Sequence, residues 1–456
     1  MSITWLTIFL AATAPQNTPG PAATDAPALA PEPAAAAAAA PAQASAPPAE
    51  AAPGRVLTLA EALSTAKANQ PQIRQALAAT EAAQGRSTQA LAPMLPQVSG
   101  SASYQRSLHG PISAFGATSN NFYNFSGTAS ELIFDFGQSP NHFRSARASV
   151  EGAEADEKTT LLQVLLSVRT VFFSARADKD LVNVAKENLA NQERHLDQIE
   201  GFVRVGTRSE IDLAQTRTDR ANARVQLITA QNNYQSAKAQ LNQAMGIEGP
   251  VDYDVSDETL GTVELEDADM DALLSEALSA RPEFVSFARK ARAQQLTVYS
   301  LEGGYAPSLS VSTNLYDRGA DLHQNDMAWG WTAQAVLSWQ LFAGGFTYGQ
   351  VQEANANLRG LSAQLDQTRQ QVRLDVEQAR LAVRANKAAI GAAAEAVINA
   401  RERLRLAEGR YQTGVGSVIE LGDAQVAMTS ALAQKVQADY NLATARAQLI
   451  KALGRE

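Results

Sequence analysis

The chain has 456 residues, 47 acidic against 38 basic side chains and a formal net charge of −9. No basic block is present to neutralise phosphates, which argues against a nucleic-acid partner. Cysteine is absent, which removes disulfides, thiol catalysis, cysteine metal sites and a lipid-modified N-terminal Cys, and past the N-terminus no apolar run reaches the roughly 20 residues of a membrane-spanning helix.

Ile3 to Ala12 is a short apolar segment followed by small residues, the outline of a secretory signal over residues 1–14. It is an imperfect outline, with no Lys or Arg before the apolar core and Pro15 directly after Ala14. Residues 15–56 are almost wholly Ala and Pro. Such a composition buries too little apolar surface to offset the entropy of ordering it, and predicts a disordered leader.

Folding is expected to begin at Thr58, where Thr58-Leu59-Ala60-Glu61 forms a capping box. Helical periodicity then runs to about Leu91, with a break or kink at Pro71. After Pro96 the period becomes two: Val98, Gly100, Ala102 and Tyr104 share one face, and Gln97, Ser99, Ser101, Ser103 and Gln105 the other. Beyond a loop rich in Gly, Ser and Asn, Tyr123, Phe125, Gly127 and Ala129 alternate with Asn124, Ser126, Thr128 and Ser130, so a hairpin is predicted over 97–134. A proline-free helix over 141–203 carries Leu161, Leu165, Val168, Phe172 and Ala175 at alternating steps of four and three, a coiled-coil seam. At 1.5 Å per residue it is on the order of 90 Å long. It ends at a Gly206 turn, a return helix spans 207–245, and an acidic stretch without Lys or Arg, 247–269, is expected to be a solvated linker with one strand at most.

The unit then recurs. Gly206, Ser209, Ile211, Asp212 and Leu213 align with Gly414, Ser417, Ile419, Glu420 and Leu421 at a spacing of 208 (414 − 206), and Pro71 and Pro96 align with Pro282 and Pro307 at 211 (282 − 71). Two copies of one unit, 57–246 and 270–454, are therefore expected, the second with a hairpin at 308–342, a long helix at 346–411 and a return helix at 416–453. The three-residue difference falls between Pro96 and Ile133, in a surface loop. In the second hairpin Leu309, Val311, Thr313 and Leu315 form one face, as do Trp329, Trp331, Ala333, Ala335, Leu337 and Trp339 in its second strand.

Strands of about ten residues with one apolar face, one small polar face and aromatics near the ends suit a transmembrane β-barrel. Tyr104, Tyr123, Phe125, Tyr316, Trp329, Trp331 and Trp339 are the candidate membrane-interface aromatics. A soluble hairpin with one buried face is the alternative. Four strands cannot close a barrel when the smallest bacterial ones have about eight, so closure needs several chains. The four histidines, His109, His142, His195 and His323, lie in unrelated segments without ligand spacing, and no nucleophile–base pair or phosphate loop appears, so neither catalytic nor metal site nor cofactor is expected.

The paired turns Val205-Gly206-Thr207 and Thr413-Gly414-Val415, the hairpin exits Ile133 to Gly137 and Leu341 to Gly345, and the prolines Pro96 and Pro307 occur in order in both halves. In this the chain resembles the outer membrane efflux protein (TolC-like) family, over about Leu57 to Gly454. The resemblance implies a mainly α fold with membrane β: a homotrimer whose long coiled-coil helices form a periplasmic α-barrel. Four strands per chain would give a shared 12-stranded barrel in outer-membrane lipid. It implies a passive channel-tunnel of a tripartite export system, for multidrug efflux or type I protein secretion, opened by a periplasmic adaptor and an inner-membrane transporter. Glu420 and Asp423 match the family's acidic entrance ring and Asp212 the acidic position of the first copy, while Gly206, Thr207, Gly414, Val415 and Gly416 form the turn tips expected to meet the partner. Where the family often has a basic residue shortly after the turn glycine, the second copy has Gly416 and the first Arg208. Ser417-x-x-Glu420 and Ser209-x-x-Asp212 are also helix-capping patterns, which alone account for acids at these places. A periplasmic coiled-coil adaptor or scaffold without its own pore is the alternative function.

Overall fold

The computed structural model describes residues 55–109, 118–320 and 327–456. The expected signal, the leader up to residue 54 and both hairpin tips lie outside them. The described part starts with a short strand, β1 (Arg55–Leu57), which overlaps the last two residues of the stretch expected to be leader. Thr58 then caps α1 (Leu59–Asn69), its Oγ1 accepting the Glu61 N–H at 3.2 Å. The reciprocal half of the capping box is not made, because the Glu61 carboxylate turns to Arg55. Pro71 occupies the first position of α2 (Pro71–Leu91), where its missing N–H costs nothing, so it separates two helices rather than kinking one.

A 3-10 turn leads into β2 (Gln97–His109) and β3 (Thr118–Phe134), and then into α3 (Gln138–Arg204), 67 residues and about 100 Å long. α3 begins three residues before the expected Asn141: Pro140 fits the first helical turn, and the Asp135 carboxylate accepts the Ser139 N–H at 2.7 Å. The return helix α4 (Glu210–Met245), β4 (Tyr253–Val255), α5 (Met270–Ala280) and α6 (Pro282–Glu302) follow. Then come β5 (Ser308–Gly319), β6 (Met327–Ser338), α7 (Phe346–Gln412) and α8 (Val418–Ala452). The second hairpin thus stops at Ser338, leaving Trp339 beyond its strand. α5, α6, β5, β6, α7 and α8 repeat α1, α2, β2, β3, α3 and α4.

The helical core lies along the middle of the long helices. Val164, Val168, Phe172, Phe173 and Ala175 of α3 pack with Ala62 and Ala66 of α1, Leu241 and Met245 of α4 and the two short strands. Val372, Val376, Ala379 and Val383 of α7 pack with Leu273 and Ala277 of α5 and Leu449 of α8. The predicted seam is buried only here; Leu161, Leu361 and Leu365 are half-buried. The acidic linker is largely exposed, as expected, but it is anchored at a few points. Its β4 pairs in parallel with β1, Lys179 of α3 bridges Asp254 at 3.1 Å and Asp257 at 2.9 Å, and Glu266, 3% exposed, receives Arg446 at 3.0 Å and Lys387 at 2.6 Å. It is a clamp joining α3, α7 and α8.

The four long strands form one antiparallel sheet in the order β2-β3-β5-β6. β3 and β5, from different copies, are neighbours, so the duplication closes on itself in the sheet centre, while β2 and β6 each keep one edge unpaired within the chain.

Candidate functional site

At one end of the long helices two turns come together. Each carries a glycine in the left-handed region, Gly206 at φ 75° and Gly414 at φ 79°, and the N–H groups of Thr207 and Val415 close back on Phe202 and Arg410. Ser417 caps α8 by accepting the Glu420 N–H at 3.2 Å, whereas Ser209 accepts that of Ile211 at 3.3 Å rather than that of Asp212. Gly416 is buried, and a Cβ there would stand 3.0 Å from the Tyr411 nitrogen and 3.1 Å from the Arg410 carbonyl carbon. Any side chain at that position, a basic one included, presses on this backbone.

The turns are held by Tyr411, 2% exposed among Ile199, Ala407, Leu421 and Ala424. The Arg208 guanidinium lies 4.6 Å from its ring centroid, and the His195 ring stands edge-on at 5.2 Å and 70°. This links the first-copy turn and α3 to the end of α7. Burial pushes the Tyr411 phenol up against the opposing pull of Arg208, and among the described residues its hydroxyl has no hydrogen-bond partner. Gln192 of α3 donates to Gln425 of α8 at 2.9 Å, both buried. Of the predicted acids, Glu420 meets Arg410 at 3.3 Å. Asp423 instead lines an open groove of about 560 Å³ between α4 and α8, with Asn188, Gln215, Asp219 and Asn222. Asp212 lies half-buried near Tyr411. Thr207 and Val415 are exposed, and Val205, Ile211 and Ile419 add apolar surface beside them.

At the other end the register sorts the sheet into two faces. Tyr104 is opposite Tyr123, Phe125 opposite Asp317, and Asp317 opposite Trp329; Leu315 is opposite Trp331. These five aromatics therefore share one face with Val98, Val311, Ala335 and Leu337. Trp331 and Trp329 are 63% and 78% exposed. Tyr316 is not among them. It pairs with Ser126 and Gly330 on the opposite face, where Ser99, Ser101, Thr128, Ser312, Asn314 and Gln334 lie. There the Arg318 guanidinium sits 3.7 Å from its ring centroid, and a Cβ on Gly330 would run into the ring. Tyr316 belongs to the polar wall, a correction to its expected place in the belt. Trp339, past the strand, donates to the Tyr305 carbonyl at 3.1 Å near a strand-to-helix exit, and further aromatics stand at both exits. Phe134, Phe136, Phe342, Phe346 and Tyr348 are all exposed there, Phe342 at 86%.

Sequence reasoning missed those exit aromatics and the grouping of His195, Arg208 and Tyr411. Aromatic density at both exits was the available signal for the first. For the second no spacing could serve, since 216 residues (411 − 195) separate His195 from Tyr411.

The outer membrane efflux protein family model matches residues 62–247 and 273–455, one match to each copy. Outer membrane protein TolC of Escherichia coli (strain K12) is 25% identical over 411 residues, covering 87% of this chain and 82% of that protein. The pyoverdine export outer membrane protein OpmQ of Pseudomonas putida is 25% identical over 410 residues, covering 87% and 85%. Among solved structures, the CmeC outer membrane channel of Campylobacter jejuni superposes with a TM-score of 0.77 at 20% identity, covering 87% of this chain and 85% of that one. With the family model spanning both copies and the same fold in a solved channel, the chain belongs to the outer membrane efflux protein family and is a protein of the bacterial outer membrane.

Proposed function

We propose that this protein is the outer-membrane channel-tunnel of a tripartite export system, a passive conduit from periplasm to exterior. The observation that carries the reading is the four-stranded sheet with one mainly apolar, Trp-bearing face, one hydroxyl-rich face and two edges unpaired within the chain, at the head of helices about 100 Å long. In hydrocarbon every backbone polar group needs a partner, so the open edges of β2 and β6 require neighbouring chains. Three chains of four strands close a barrel with the serine-rich face inward and the aromatic face toward outer-membrane lipid.

The long helices then continue the conduit into the periplasm, and the tip is its entrance. Glu420 and Asp423, with Asp212 beside Tyr411, are the gate residues. Gly206, Thr207, Gly414, Val415 and Gly416, with the exposed apolar side chains around them, form the surface offered to a periplasmic adaptor. Cargo selection, whether of drugs in multidrug efflux or of a polypeptide in type I secretion, rests with the adaptor and the inner-membrane transporter. Threefold symmetry would gather six carboxylates from Glu420 and Asp423 at one opening, which favours cations there.

Detergent-purified protein in a planar bilayer is expected to give small cation-selective currents that grow in the Glu420→Ala/Asp423→Ala double variant. Unchanged currents in that variant would leave the pore and reduce the two acids to helix-terminal charges. The second reading, a periplasmic scaffold without a pore, predicts a protein that is soluble without detergent and passes no current.

A further inference from the structure

His195 is buried, 7% exposed, in the middle of the entrance. It stands edge-on to Tyr411, the side chain that ties the end of α7 to α3 and, through Arg208, to the first-copy turn. A small cavity of about 130 Å³ adjoins the two rings, lined by Asn191, Arg194, Gln198, Glu408 and Gln425 among others. The charged and titratable groups around the imidazole come from three helices and the first-copy turn: Arg194 on α3, Asp219 on α4, Glu408 and Tyr411 on α7, and, against Tyr411, Asp212 of α4 and Arg208 of the turn. From α8 only Leu421 and Gln425 line this cavity, and neither titrates. Among the described residues no carboxylate forms an ion pair with His195, and two arginines flank the site.

We propose that His195 makes the entrance acid-sensitive: a proton on its imidazole loosens the packing of Tyr411 between α3 and α7 and shifts the tip toward its open form. The inference rests on the channel reading and adds a regulator to it. A buried cation without a paired carboxylate is costly, and the packed tip can relieve that cost only by letting water or Asp219 reach the ring. Burial holds the imidazole below its ordinary value of 6.5, against the weaker opposing effects of Asp219 and a hydrogen bond with Gln198. The sign follows. The closed packing is fully favoured above the value of the freed imidazole, near 6.5, and is penalised progressively as pH falls below it.

The test compares wild type and His195→Gln channels at about pH 7.5 and about pH 5.5. Open probability in the wild type is expected to rise severalfold on acidification and to stay level in His195→Gln. An equal rise in both, or none in either, overturns the proposal. His195→Phe keeps an aromatic edge against Tyr411 without a titrating group and replaces His195→Gln if that variant fails to assemble. Absence of current at every pH counts against the channel instead. The switch is then decided by hydrogen exchange of the segments around His195 and Tyr411, corrected for intrinsic rates: acid-accelerated opening in wild type alone supports it, and identical opening in the variant overturns it.

Discussion

Gly414 and Gly416 stand two residues apart and answer to different constraints. Gly414 sits at φ 79° with open space where a Cβ would go, so Gly414→Ala pays only for left-handed backbone, about 1 kcal/mol. At Gly416 the obstacle is the backbone of Arg410 and Tyr411, 3.0–3.1 Å from an added Cβ, and backbone cannot step aside as a flexible side chain can. Gly416→Ala is expected to cost about 1–3 kcal/mol in the packing of the tip. Hydrogen exchange at the amides of α8's first turn should rise clearly more in Gly416→Ala than in Gly414→Ala, and equal protection would show the turn to be more pliant than its geometry implies. The sequence pointed to both glycines through the repeat, yet Gly416 replaces Arg208's aligned position for a reason that only the tight turn reveals. Tyr316 teaches the opposite: its even number already placed it with Ser312 and Asn314, and the belt assignment followed aromatic character where strand parity should have decided.

Between residues and the whole stands the acidic segment that clamps the long helices. Burial alone would raise the Glu266 carboxyl, but the hydrogen bonds from Arg446 and Lys387 outweigh it and bring the group down to about 2. Its folded value is depressed, so its contribution to stability is present above about 4.5 and is lost as pH falls from there toward about 2. Glu266→Gln leaves Arg446 without its bidentate partner and is expected to cost about 3 kcal/mol near neutral pH. In thermal melts followed by helical circular dichroism, wild type should lose stability steeply over that acid range, while Glu266→Gln begins lower and loses less. Parallel loss in both would mean that other carboxylates carry the acid sensitivity. Periodicity and turn chemistry made the helices and hairpins legible, because those signals are local. The clamp was read as solvated charge, because the cations that Glu266 meets lie 121 (387 − 266) and 180 residues away along the chain.

In the proposed channel the duplication leaves each chain dependent on other copies of itself. Each copy supplies one hairpin, and the two join through β3 and β5 into a sheet that is satisfied in its centre and open at β2 and β6. Successive N–H groups of an edge strand point alternately toward its partner and toward the open side. Of the adjacent substitutions Ala333→Pro and Gln334→Pro in β6, one therefore removes an N–H that faces β5 and the other an N–H that faces outward. In a chain that works alone the outward change is nearly silent, since proline is tolerated on a free edge. In a barrel closed by β2 of the next chain both changes break a ladder. Native mass spectrometry of detergent-extracted protein is expected to show three-chain assemblies for wild type and their loss in both variants. Survival of the trimer in one of the two would mean that the chains meet through their helices and leave the strand edges unpaired, an arrangement that outer-membrane lipid does not permit.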